Sequence, residues 1–212
     1  QFPTDTTGTL TLTNSVVPNK VLATDPVRTI SGETFVQMAH PNHHMYSTSN
    51  NVTISGASSG VSTTLSAQLL AGGSSLTLAS STGFPGSGTV HLKISRPNDS
   101  AGDPQTAEVV SGTISGTTVS SLTRGVEGAD AQHESGATVE LYQVSGIPLT
   151  QINKTHTAIA NIQLDSYTIT TTASATSTAK VGGNAVVATE NAMMDLANIC
   201  LLYTSDAADD TR

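Results

Sequence analysis

"GTVHLKIS", residues 88–95, places Val90, Leu92 and Ile94 on one side of an extended chain and His91 and Lys93 on the other. Successive side chains of a strand point to opposite faces, so this alternation marks a strand with one face in a core and one in water. The same period recurs along the chain. "ATVELYQV" (137–144) sets Val139 and Leu141 against Glu140 and Tyr142, "SYTITTTA" (166–173) carries Tyr167 and Ile169, and "GTLTLTNSVV" (8–17) alternates Thr with Leu. Clusters of turn-forming residues separate the runs: "SGASSG" (55–60), "AGGSS" (71–75), "STGFPGSG" (81–88), "RPNDSAGDPQ" (96–105), "SGTISGTT" (111–118) and "HESGA" (133–137). Helical periodicity is nearly absent. The one helical candidate, "ATENAMMDLANI" (188–199), has poor apolar spacing and reads as linker or as the first strand of a further module. The expected fold class is all-β, built of small barrel or sandwich modules in series.

Composition supports that reading. Thr favours strands, Ser and Gly favour turns, and these three dominate the 212 residues. Aromatic residues make up 3% and Trp is absent, which suits thin β layers better than one deep core. Charged residues make up 11%, against ~25% in ordinary soluble domains. The formal net charge of −8, with the basic residues scattered, argues against a partner that is a nucleic acid, since tracking phosphates takes clustered Lys and Arg. No apolar run approaches the ~20 residues of a membrane-spanning helix, so no membrane partner is expected.

The lone cysteine opens "CLLYTSDAADDTR" (200–212). Translated back into codons, Cys200 to Asp210 resembles the mosaic-end adapter of transposase-based DNA library preparation. Residues 200–212 are therefore set apart as a non-native tail. Without them no thiol remains. The first residue is Gln1, and the native chain is expected to begin inside a longer protein and to be cut near Ile199.

"HPNHHMYSTSNNVTISG" (40–56) resembles part of a small β module of tailed-phage virion proteins, in which a His-x-x-His-Gly corner is followed by a strand reading Val-Thr-Ile-Ser-Gly. Val52 to Gly56 fit the strand, while His44 stands where Gly is usual. The module's continuation appears only from Gly146, with an Asn153 turn, a strand through Ile159 and Ile162, an Asp165–Ser166 corner and a closing strand. The segment between resembles a second recurrent tail and fibre module. Its marks are Phe84, Pro85 and Gly88, a strand led by Glu108, then Thr123, Arg124 and Gly125, and finally His133, Gly136, Ala137 and Val139, with Ala129 departing from the usual Thr. In order, these motifs resemble virion structural proteins of marine, cyanophage-like tailed phages.

That resemblance implies an outer β module of residues 28–56 plus 144–175, with a second module, residues 57–143, inserted into one of its loops. Residues 1–27 are expected to be the end of a preceding module and a linker, and 176–199 a linker or the start of the next module. The resemblance further implies a non-enzymatic tail or baseplate-fibre component, located in the virion and extracellular once released. Its partners would be other virion subunits, including copies of itself in a homo-oligomer. The structural-motif residues it singles out are His40, His43, Gly56, Phe84, Pro85, Gly88, Glu108, Arg124, Gly125, His133, Gly136 and Asn153. The alternative is a module of a fibre tip or bacterial surface adhesin that binds a host-surface glycan. Exposed aromatics for that role are few, chiefly Tyr46, Tyr142, Tyr167 and three Phe.

Three chemical readings compete with turn chemistry. His40, His43, His44 and distant His156 could converge on a metal, yet no Cys or acid follows within ten positions of His44, and histidines that satisfy a strand-to-turn corner explain the pattern as well. "GASSG" (56–60) matches Gly-x-Ser-x-Gly, but a nucleophile elbow needs a strand–turn–helix in an α/β sheet, which this chain does not signal. Asn98, Asp99 and Asp103 offer oxygens for calcium in what also reads as a hairpin tip. No cofactor, metal or catalytic residue is assigned. The sequons at Asn51, Asn98 and Asn153 follow from Ser/Thr abundance. Glu108 and Arg124 are expected to pair across adjacent strands and pin register, at ~0.5 kcal/mol if exposed.

Overall fold

A computed structural model describes residues 20–41, 51–95 and 107–190. Its first strands are β1 (Lys20–Val21), β2 (Val27–Thr29), β3 (Phe35–Ala39) and β4 (Val52–Ser55). Six follow without interruption by those: β5 (Ser62–Thr64), β6 (Ser75–Thr77), β7 (Ser87–Ser95), β8 (Glu108–Ser115), β9 (Thr118–Glu127) and β10 (Thr138–Leu141). The last are β11 (Gln143–Val144), β12 (Ile147–Pro148), β13 (Thr155–His156), β14 (Ser166–Thr170), β15 (Ala179–Val181) and β16 (Val187–Glu190). The one helical element among the described residues is a 3₁₀ turn, Leu149–Gln151. No helix among them is long and apolar enough to cross a membrane. The protein is all-β, and every strand pairing is antiparallel.

The middle strands form one sheet in the order β5-β10-β7-β8-β9-β6. Its inward face is the alternation of the sequence made solid: Val90, Leu92 and Ile94 of β7, Val110 and Ile114 of β8, and Val139 of β10 are all fully shielded from solvent. Leu65, Leu69, Leu76, Leu78 and Phe84 complete this core. The sheet curls until its edge strands meet. Leu65 bridges Leu78, and the Ser66 and Ala79 N–H groups donate to the Thr77 and Thr64 carbonyls at 2.9 and 2.8 Å. Tying β5 to β6 in this way covers edge hydrogen-bonding groups that would otherwise invite another chain. Removing one such buried Leu would cost about 2–5 kcal/mol.

The remaining strands build a second core of Val27, Val36, Met38, Val52, Ile54, Ile147, Ile152, Tyr167, Ile169 and their neighbours, between sheets β1-β16-β4-β13 and β14-β3-β2-β15. The chain leaves this core after Ala57 and rejoins it at Val144, with Tyr142 packed partly buried against it. At Gly56 φ is +78°, and a Cβ there would overlap the Ala185 carbonyl, so only glycine fits this exit.

Several expectations need correction. The described part of residues 176–199 is neither a linker nor the start of a further module: Ala179–Val181 pair with β2, and Val187–Glu190 lie between β1 and β4. Val186 and Ala188 are fully buried there. Residues 20–27 likewise belong to this second core, with Leu22 and Val27 inside it, rather than to a preceding module. In both places short strands with little apolar content are held by ladder hydrogen bonds to their neighbours. "SGTISGTT" is strand on both sides of a tight hairpin, because Ile114 and Val119 continue the inward face and only Gly116 and Thr117 turn. Conversely, no strand runs through Ile159 and Ile162. Asn161 at φ +47° bends the chain between them, leaving one bridge, Ala160 to Thr168. Expectations for residues 1–19, His43, His44, Tyr46, the 98–103 loop and the 200–212 tail lie outside the described residues.

Candidate functional site

The densest polar constellation lies where β8 and β9 pair irregularly. Ser111 faces Thr123 and Val109 faces Glu127, so Arg124, Gly125 and Val126 of β9 are opposed by Val110 alone. Such a bulge re-aims the bulged side chain. Here the Arg124 Nε donates to Glu108 Oε1 at 2.8 Å and its Nη2 donates to Oε2 at 2.7 Å. The Gly125 N–H adds a third bond to Oε1 at 2.9 Å, and His133 Nε2 lies 2.8 Å from Oε2. A carboxylate can only accept, so His133 carries its proton on Nε2. The Glu108 and His133 side chains are wholly shielded and that of Arg124 is 7% exposed.

Arg124 reaches further. Its Nη1 donates to the Leu70 carbonyl at 2.9 Å, and its Nη2 donates to the Ala131 carbonyl at 2.6 Å and lies 3.0 Å from Asp130 Oδ1. Both Asp130 oxygens accept the Gly72 N–H, at 3.1 and 3.0 Å. Leu69 and His133 bridge backbone to backbone. One buried ion pair thereby joins the start of β8, the bulge of β9 and the segments 69–73 and 128–133. Gly128 makes the return possible: at φ +76° it passes the Ala107 carbonyl so closely that a Cβ would stand 2.5 Å from that oxygen.

Burial alone would raise the Glu108 pKa. The hydrogen bonds from Arg124, His133 and the Gly125 N–H, with the guanidinium charge, outweigh it and hold the carboxyl at about 2. At neutral pH Glu108 is an anion with its oxygens filled and no solvent-facing surface. The arrangement serves as a lock on the fold. The expected pairing is present, but buried, so the estimate for an exposed pair does not apply.

A second constellation sits where the chain crosses between the two cores. The Asn153 side chain accepts the Ala57 N–H and donates to the Ala57 carbonyl, both at 2.9 Å, imitating a strand partner. Opposite it, Gln143 Oε1 accepts the His91 N–H at 3.0 Å, the Tyr142 N–H donates to the His91 carbonyl at 2.8 Å, and the Ser59 hydroxyl donates to the Leu141 carbonyl at 2.6 Å. Burial lowers the His91 pKa, partly offset by Gln143, and raises that of the Tyr142 phenol, partly offset by a hydrogen bond with Asn153. Two clefts flank this junction. One, of about 380 Å³, lies against Tyr142 and Asn153, and the other, of about 530 Å³, holds Phe84, Pro85 and Gly88 against Gly146 and Thr176.

The other singled-out residues fall apart from these groups. His40 is buried and packs on Tyr167, ring centroids 5.3 Å apart. His156 pairs with Val52 in the β4–β13 ladder and donates from Nε2 to the Ile152 carbonyl at 3.0 Å. Burial lowers its pKa more than that bond raises it. Among the described residues no three His, Cys, Asp or Glu side chains gather as a metal set would require. Ser58 of "GASSG" bridges Gly182 and accepts the Gly60 N–H in a turn, with no helix behind it. Gly136 takes φ +87° in the return to β10, and its N–H donates to the Leu65 carbonyl.

Sequence reasoning missed Asp130, Gly128, Ser59 and Gln143. Asp130 and Gly128, in "GVEGADAQH", carry a local signal, an acid beside a glycine turn; Ser59 and Gln143 act through partners far along the chain. Comparison with protein-family models, with curated proteins and with solved structures finds no match to this chain.

Proposed function

We propose that this protein is a structural component of a phage virion, from the tail or baseplate-fibre region, whose work is to hold subunits at fixed spacing. The observation that supports the reading most is the junction. A curled six-stranded sheet is carried between Ala57 and Val144, and the hydrogen bonds of Asn153, Gln143 and Ser59 at that crossing favour stiffness between the two cores. A spacer under load needs that stiffness, and the internal Glu108–Arg124 lock serves the same end. A surface rich in hydroxyls suits assembly contacts made through many individually modest hydrogen bonds. The experiment is peptide mass spectrometry on particle and cell fractions of the source sample, with gold-labelled antibody on intact particles. Enrichment of these peptides in particles and label on a tail is expected. Peptides confined to cells, or label on cell envelopes, would overturn the proposal.

A further inference from the structure

The aromatic side chains within the described residues are unequal in their availability. Tyr167 is fully buried, Phe84 nearly so, and Phe35 lies half-buried in β3. Tyr142 is also half-buried, but it lines the cleft of about 380 Å³ between the two cores. The walls of that cleft come from both sides of the junction. From the curled sheet come Lys93 and Glu140; Tyr142, just past the sheet's last strand, packs on the second core, and from that side come Ser58, Leu149 and Asn153. Glu140 lies on the outward side of β10, since Leu141 after it turns into the core, and Tyr142 follows just past the end of that strand. Lys93 stands directly opposite Glu140 in register, with its Nζ 5.9 Å from the Tyr142 ring centroid.

This set narrows what can bind. An ammonium only donates and a carboxylate only accepts, so a ligand satisfying both needs neighbouring groups that do each. The two charges cancel, which removes the pull on a charged ligand. An apolar ligand would strip water from both charges without replacing it. Adjacent hydroxyls on a ring meet these demands, and the ring's C–H face can lie on the aromatic edge. Because the Asn153 clamp holds the facing wall, the cleft is formed before anything enters it. The larger cleft beside Phe84 has neither a charged group nor an accessible aromatic face.

We propose that the cleft between Tyr142, Lys93, Glu140 and Ser58 binds a neutral saccharide of one or two rings. The site stands independently of the spacer role, since either can fail without the other. The test uses the full chain, labelled with nitrogen-15 and titrated with the methyl glycosides of glucose, galactose and N-acetylglucosamine, with maltose, and with glucuronate and glucosamine as charged controls. Saturable amide shifts at Ser58, Tyr142 and Asn153 are expected for at least one neutral sugar, weakened about tenfold in both Tyr142→Ala and Glu140→Gln. Glu140→Gln leaves the cores untouched, so a loss of binding there with an unchanged amide pattern elsewhere separates ligand contact from misfolding. No saturable shift with any neutral sugar, shifts that survive both substitutions, or tighter binding of a charged control would each overturn the proposal.

Discussion

Arg124 grips Glu108 through two parallel hydrogen bonds, 2.8 Å from Nε and 2.7 Å from Nη2, inside a bulge that no solvent reaches at the carboxylate. Deleting either partner leaves the other charge buried and unpaired. Glu108→Ala and Arg124→Ala are each expected to cost about 3–5 kcal/mol in urea unfolding, with the double variant costing much less than their sum. Additive losses would show the pair to be uncoupled.

Charge reversal gives a sharper discrimination. For an exposed pair, swapping the two charges restores stability. Here the Gly125 N–H faces position 108 and the Leu70 and Ala131 carbonyls face position 124. Glu108→Arg with Arg124→Glu is therefore expected to stay unfolded or strongly destabilised by circular dichroism. Recovery of the native melting curve would mean that the backbone partners contribute little.

Acid should loosen the lock. The Glu108 carboxyl is held at about 2 in the fold, against 4.5 for the free group, so the folded state binds its proton less readily than the unfolded state. The stabilisation is complete above pH ~4.5 and is lost as the pH falls toward 2, amounting to about 3 kcal/mol. Melting curves between pH 6 and 2 should show this slope in the native chain and a flatter one in Glu108→Gln.

His156 acts in a different window with the same sign. Burial lowers its pKa, so the folded state prefers the neutral ring. Its contribution is full above the unfolded value of ~6.5 and declines as the pH falls through that value toward the lower folded one. Comparing His156→Gln with the native chain from pH 7.5 to 5 should show a shallower dependence in the variant. An identical slope would assign the pH dependence to another group.

Asn153 ties together segments 96 residues apart by satisfying both backbone groups of buried Ala57. Asn153→Ala leaves those groups without their partner at a cost of about 1–3 kcal/mol. Hydrogen exchange at Ala57 should accelerate well before exchange at Val90 or Leu92 does. Equal acceleration at all three would mean global rather than junction-level loosening.

Much of this was readable one residue at a time. The Val90, Leu92 and Ile94 face is local information, because the pleat itself sends alternate side chains to opposite sides, and each of the three is buried as the pattern implies. The pairing of Glu108 with Arg124 was readable from their shared motif. Their burial was not, because it depends on a bulge set by the register of β8 against β9 and on segments 69–73 and 128–133 closing over it. Ala179–Val181 and Val187–Glu190 were unreadable for a related reason: runs of three and four residues carry little signal of their own and become strands because β2 and β4 present hydrogen-bonding edges to them.

The sequence by itself determined that the chain makes antiparallel strands with thin apolar faces, since period-two alternation and glycine-rich turns act within a few residues. Only the tertiary structure decided which strands are neighbours, that the Glu108 carboxylate is sealed from water, and that Tyr142 borders a cleft. Each of those depends on groups brought together from distant parts of the chain, and burial, like a shifted pKa, is a property of surroundings that no short stretch of residues contains.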